Sequence, residues 1–168
     1  MREAADFAIR LGPLTNSSMQ RKSIGNSRRV LVASRGYLTE HGRPERPDDL
    51  LRHQAIRMSN IVGSETLLLR GPDGEPTILP FDGRLLVDHA LAAREALAQG
   101  RGIAAAHIWL VNDLLATGEI EVVLPDYSPE PVPLCILIVP GRTRIKRVRL
   151  LVDEIAASLT KLPGIHQG

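Results

Sequence analysis

Four short clusters in this 168-residue chain combine residue types able to hold a small molecule. Arg10 stands inside the apolar run Phe7-Ala8-Ile9-Arg10-Leu11. A guanidinium buried in such a run is tolerated only with hydrogen-bonded or anionic partners. An anionic ligand would meet that need, and so would a local carboxylate or backbone carbonyls. Met58-Ser59-Asn60 offers backbone amides, a hydroxyl and a carboxamide. These are the few convergent polar groups a small pocket uses, and an ordinary turn has the same composition. Asp88-His89 opens an Ala-rich stretch, where Asp88 serves either as a helix N-cap or as a ligand group. Gly102 and Ala104 bring backbone atoms close to whatever lies beside them, ligand or packing neighbour.

Catalytic and metal chemistry find less support. His41, His53, His89, His107 and His166 show no metal-ligand spacing, so no metal site is expected. There is no Gly-x-Ser-x-Gly elbow, no P-loop and no dinucleotide glycine pattern after a strand. With no nucleophile, base and orienting group in recognisable order, the chain reads as a non-enzyme without a cofactor and with no catalytic residue. Cys135, the single cysteine, lies in Leu134-Cys135-Ile136-Leu137-Ile138-Val139 and reads as a small buried hydrophobe.

The elements that must position these groups follow from periodicity. Residues 6–11 alternate, with Phe7, Ile9 and Leu11 on one face, and Gly12-Pro13 ends the strand. Residues 13–28 are polar and turn-rich, which suits a crossing segment between lobes. A strand over 29–33 leads into a turn that Ser34 can cap through Tyr37 and Leu38. Pro47-Asp48-Asp49 starts a short helix, where fixed φ and the macrodipole favour them. Strands are predicted at 55–58, 66–69, 77–79, 85–87, 103–106 and 119–124. Gly71-Pro72-Asp73-Gly74 joins the second and third of these as a hairpin. Helices are predicted from Asp88 through Ala98, with Asp88 as N-cap, and from Ile108 to Ala116, closed by Gly118. The continuous apolar run 134–139 reads as a parallel strand covered on both faces. Ile145, Val148, Leu151, Val152, Ile155, Ala156 and Leu159 form the stripe of a helix over 143–160. Its basic cluster, Arg142, Arg144, Lys146, Arg147 and Arg149, reads as a solvated face with acidic partners such as Asp126 or Glu130. Strands alternating with helices predict an α/β architecture.

Composition bounds the function classes. Aromatic residues make up only 3% of the chain, so the core is aliphatic and a base-stacking nucleic-acid surface is disfavoured. A net charge of +2 is too mild for a DNA footprint. No apolar run approaches the roughly 20 residues of a membrane helix. The N-terminus lacks the apolar core of a signal peptide, so no membrane partner and a cytoplasmic location are expected.

With this order in hand, six stretches together resemble one family. They are Asp6-Phe7-Ala8-Ile9-Arg10-Leu11-Gly12; residues 28–53, RRVLVASRGYLTEHGRPERPDDLLRH; Gly83-Arg84-Leu85-Leu86-Val87-Asp88; residues 92–103, AAREALAQGRGI; Leu114-Leu115-Ala116-Thr117-Gly118-Glu119-Ile120; and Val122-Val123-Leu124-Pro125-Asp126. Each alone is weak, but in this order they resemble the effector-binding domain of the LysR-type transcriptional regulators. The resemblance implies two Rossmann-like lobes of the periplasmic-binding-protein type. The second lobe, residues 15–131, would be complete, and the first, residues 1–14 and 132–168, partial. It further implies that Arg10, Met58, Ser59, Asn60, Asp88, His89 and Gly102 face a small effector in the cleft between lobes, where Arg10 could meet an anionic metabolite such as a carboxylate. Family members pair through the first lobe, so a homodimer using the 143–160 helix is expected. Their winged helix-turn-helix precedes the region matched here, which makes this chain a fragment that would reach DNA only through a domain it lacks. The alternatives are a stand-alone small-molecule binding module and a non-functional remnant of a regulator.

Overall fold

The computed structural model describes residues 5–13, 18–59 and 63–167. The chain runs β1 (Phe7–Leu11), β2 (Gln20–Ser27), β3 (Arg29–Ser34), α1 (Arg35–His41), a 3₁₀ turn (Pro47–Arg52) and β4 (Ile56–Met58). There follow β5 (Thr66–Arg70), β6 (Pro76–Pro80), β7 (Leu85–Val87), α2 (Ala90–Ala98), β8 (Ile103–His107) and α3 (Ile108–Thr117). The last part holds β9 (Ile120–Val122), β10 (Ser128–Pro129), β11 (Val132–Ile138), a 3₁₀ turn (Arg142–Arg144), α4 (Lys146–Leu159) and β12 (Ile165–His166). Two compact units result, one from the segments up to Arg28 and from Pro131 onward, the other from Arg29–Glu130.

In the first unit the sheet order is β1-β11-β2-β12. The inward residues Ile24, Leu134, Ile136 and Ile138 pack on Val148, Val152 and Ala156 of α4, the three- and four-residue steps of the predicted stripe. Two expectations fail here. β11 is antiparallel to both β1 and β2, not parallel, because a continuous apolar run reports burial on both faces and says nothing about strand direction. Residues 20–27 are an eight-residue strand of this sheet where a polar, turn-rich segment was expected. Only Ile24 and Ser27 of it are buried, so its sequence carries almost no apolar alternation. The first compact unit includes this strand and runs to Arg28. Arg142 pairs with Asp6 at 3.0 Å, whereas the Glu130 carboxylate pairs with Arg70, which corrects the partners expected for the basic cluster.

In the second unit β3 lies between β8 and β9 and is antiparallel to both. β4 pairs in parallel with β7. A parallel bridge between Ala55 and Ile103, with the Ile103 N–H donating to the Gln54 carbonyl at 2.8 Å, joins β4 to β8. Alternation along the strands sends side chains to two cores. Leu31, Ala33 and Ile103 meet Tyr37 and Leu38 of α1 and Leu67, Leu69 and Leu79 of the β5–β6 hairpin. Val32, Ala104 and Ala106 meet Leu97 of α2 and Val111 and Leu114 of α3. The hairpin is the one predicted, with Thr66 opposite Pro80 and Arg70 opposite Pro76. Ser34 caps α1 by accepting from the Tyr37 N–H, and Gly118 closes α3 in the left-handed region, both as expected.

Candidate functional site

Because β4, β7 and β8 run in the same direction, their carboxyl ends share one edge of the sheet in the second unit. Open α/β sheets bind ligands at that edge, where strand ends and helix starts expose polar backbone. β4 ends at Met58, which is registered with Val87, and the Ser59 N–H donates to the Val87 carbonyl at 2.7 Å. This bond sets the exposed Ser59 beside the turn Asp88-His89 that follows β7. His89, not Asp88, is the N-cap of α2, since its imidazole Nδ1 accepts from the Leu91 N–H at 3.2 Å. An accepting Nδ1 leaves the proton on Nε2 in the neutral ring, so the free nitrogen of His89 is a donor. Asp88 stays exposed one residue before the cap.

β8 ends at His107, whose ring stacks on Trp109 with centroids 5.7 Å apart and planes 19° apart. Antiparallel register puts Arg29, the first residue of β3, opposite His107. The Arg29 guanidinium donates from Nε at 3.0 Å and Nη2 at 2.8 Å to the Glu130 carbonyl. Burial lowers the Arg29 pKa, against the attraction of the Glu130 charge. Burial, and secondarily the Arg29 cation, push His107 down to about 4. His107 is therefore neutral at pH 7, an uncharged polar group beside a fixed cation. The edge thus gathers a hydroxyl, two imidazoles, a carboxylate, an indole and a guanidinium from the ends of four strands.

Of the residues expected at a binding site, Met58, Ser59, Asp88 and His89 come together here, and Asn60 lies outside the described residues. Gly102 does not join them. It precedes β8 at the opposite end of the sheet, at φ +148°, and a Cβ there would lie 2.2 Å from the Gln54 carbonyl oxygen. Its role is the close approach of two backbones. Ala104 is buried in the core facing α2 and α3. Arg10 corrects a second expectation: it is exposed, as are Ile9 and Leu11, because among the described residues β1 is an edge strand of the first sheet, paired with β11 alone. Arg29, His107 and Trp109 were not singled out from the sequence. The one tryptophan of the chain, at a strand-to-helix junction, was the available signal.

Among the described residues no group of three or more His, Cys, Asp or Glu side chains could hold a metal ion. A groove of about 890 Å³ runs along β7 and α2 and reaches Val87 at the end of β7; Gln54, Leu85, Ala92, Ala96 and Gln99 also line it. No helix among the described residues is long and apolar enough to cross a membrane.

Comparison with known proteins fits this geometry. The model of the LysR substrate binding domain matches residues 1–160. The HTH-type transcriptional activator AaeR of Escherichia coli is 32% identical over 159 residues, covering 94% of this chain and 50% of AaeR. The probable HTH-type transcriptional regulator LtrA of Klebsiella pneumoniae is 24% identical over 99% of this chain and 53% of its own length. Full-length AphB, the Vibrio cholerae virulence activator and a member of the LTTR protein family, superposes with a TM-score of 0.77 at 27% identity, over 91% of this chain and 51% of AphB. The CrgA regulatory domain, of a LysR-type transcriptional regulator from Neisseria meningitidis, gives a TM-score of 0.81 at 23% identity, over 92% of this chain and 75% of that one, a likeness of fold. The chain spans about half the length of the curated relatives it matches. A mixed α/β chain matched by this family model over 160 residues, and folded like LysR regulatory domains, belongs to the LysR substrate-binding domain family and has its periplasmic-binding-protein-like fold.

Proposed function

We propose that this chain is the effector-sensing part of a LysR-type transcription regulator, and that the carboxyl edge of β4, β7 and β8 is where the second unit meets the effector. The observation that carries this reading is the convergence of Ser59, Asp88 and His89 on one edge, beside Arg29 and a neutral His107. Arg29 supplies positive charge and Ser59 and His89 supply donors, which favours a small carboxylate as the ligand class. Met58 provides apolar contact at the same edge, Asn60 continues it in sequence, and Arg10 is a separate candidate contact for the carboxylate. The effector is bound and not transformed, and neither a cofactor nor a metal takes part. The intact regulator acts in the cytoplasm, reaches DNA through a separate domain, and forms a homodimer through the unit that holds α4. Effector binding alters transcription only by favouring one of two states of that assembly. The family match does not favour the alternatives of a free-standing binding module or a remnant.

The test is a thermal-shift screen of the chain against small mono- and dicarboxylates, with uncharged amides of the same acids as controls. A ligand at about 100 times its Kd stabilises by about 2.7 kcal/mol. That is worth roughly 2–4 °C per kcal/mol for a chain of this size. The reading expects a saturable rise for at least one carboxylate and none for its amide. Equal rises for acid and amide would remove the carboxylate from the proposal.

A further inference from the structure

A second polar pocket lies at the other end of β4, in the same unit but away from Ser59 and His89. It has a volume of about 260 Å³ and is lined by His41, Arg43, Glu45, Arg46, Asp49, Arg52 and His53, with Gly42 at its wall. That volume falls below the range of roughly 300–1,000 Å³ common for sites of drug-sized ligands.

The charges around this pocket are unequally committed. Arg43 is held by the Glu121 carboxylate, and its Nη1 donates to the Val122 carbonyl at 3.2 Å. Asp49 accepts through Oδ2 from the backbone N–H groups of Glu45 at 3.0 Å and Arg46 at 2.9 Å. Those two bonds, with the nearby Arg46 and Arg52 cations, hold its carboxyl below the usual range. Arg46 and Arg52 are exposed and form no ion pair among the described residues. They flank two imidazoles fixed by one tyrosine. His41 stacks on the Tyr37 ring at 4.3 Å, and its Nδ1 bonds the Tyr37 carbonyl at 3.2 Å. The Tyr37 hydroxyl oxygen accepts from the Gln54 N–H at 2.9 Å and lies in hydrogen-bond contact with His53 Nδ1 at 3.2 Å. With Nδ1 accepting from that hydroxyl, or with both ring nitrogens protonated, His53 presents its Nε2–H as a donor. Glu45 is the remaining uncommitted acid on the pocket wall.

We propose that this pocket binds a phosphate-type oxyanion, gripped by Arg46, Arg52 and the Nε2–H of His53. Two guanidinium groups from the two ends of one 3₁₀ turn, and the imidazole that follows it, supply several donors around one pocket, which a tetrahedral, multiply charged oxyanion satisfies better than a planar carboxylate. Tyr37 orders both histidines before binding, so little side-chain freedom is lost there. Burial first, and then the neighbouring His41, hold His53 below its ordinary pKa, while Asp49 acts in the opposite sense. A bound anion adds to the pull of Asp49, so binding strengthens as pH falls through the titration of His53. The site does not depend on the effector reading above.

The experiment is an NMR titration of the His41 and His53 ring signals in the full chain with inorganic phosphate, with a phosphate monoester, and with chloride at matched ionic strength. The proposal expects saturable shifts of both rings in the millimolar range. It also expects the His53 pKa to rise by about half a unit or more. Neither is expected with chloride or in the Arg46→Ala/Arg52→Ala variant, whose exposed substitutions leave the fold intact. If that variant loses its fold, Arg52→Gln alone is read in the same way. A response to phosphate and monoester alike marks a site for the phosphoryl group, and a response to phosphate alone marks a site for the free ion. Shifts that chloride reproduces, or that survive loss of both arginines, overturn the proposal.

Discussion

Replacing Gly102 with alanine should destabilise the second unit by about 3–5 kcal/mol. Gly102 sits at φ +148°, where an L side chain is strained by roughly 1–2 kcal/mol. Its new methyl would lie 2.2 Å from the Gln54 carbonyl oxygen and 2.9 Å from the carbonyl carbon. Relief requires β8 to move away from the segment leading into β4. That movement costs the 2.8 Å bond from the Ile103 N–H to the Gln54 carbonyl, worth about 1 kcal/mol, and disturbs the fully buried Ile103. Overpacking of a core at such a point adds about 1–3 kcal/mol. One small shift relieves overlap and bond together, so the terms do not all add in full. The assay is urea unfolding followed by the fluorescence of Trp109, which lies in the same unit. Gly74→Ala is the control: at φ +79°, with no heavy atom within 4 Å of the added Cβ, it carries backbone strain without overlap. A Gly102→Ala loss no larger than the Gly74→Ala loss would refute the close-approach argument.

Three further outcomes follow from the same coordinates. His107 is held near 4 when folded and titrates near 6.5 when unfolded, so between those values the unfolded chain binds more protons. Its neutral, buried form therefore costs stability as pH falls from about 6.5 to 4, by up to a few kcal/mol, and costs nothing above that window. Unfolding of wild type and His107→Gln at pH 5 and pH 7.5 should show a smaller acid loss in the variant, and equal losses would contradict the assignment. Leu31, fully buried between β8 and β9, should lose about 2–5 kcal/mol as Leu31→Ala in chemical denaturation, without change in fold by circular dichroism. Arg10→Ala, an exposed edge-strand change, should alter stability by less than about 0.5 kcal/mol, and a larger loss would show that the guanidinium has a structural partner.

Local signals carried the reading of the elements. The 66–80 hairpin was legible because Gly71-Pro72-Asp73-Gly74 specifies a turn between two apolar runs, and α4 because seven apolar positions keep helical spacing. Strand direction was not legible in residues 134–139, since burial on both faces reads alike for parallel and antiparallel strands. β2 was missed because its partner, not its own pattern, makes it a strand. The same division governs the site. Ser59 and His89 stand at the ends of predicted strands and could be named from sequence alone. Arg29 and His107 are 78 residues apart (107 minus 29), and only the register of β3 on β8 brings them face to face. Arg10 was misjudged because an apolar alternating pattern fixes which side chains share a face, and whether that face is covered depends on neighbours the pattern does not contain.

The most direct test of the effector edge is calorimetric titration of the best carboxylate from the thermal screen into wild type and a Ser59→Ala/His89→Gly variant. Loss of two donors at the carboxyl ends of β4 and β7 should weaken binding at least tenfold, or about 1.4 kcal/mol, with unfolding unchanged beyond about 1 kcal/mol. An affinity that stays within twofold of wild type would place the effector elsewhere and contradict the proposal.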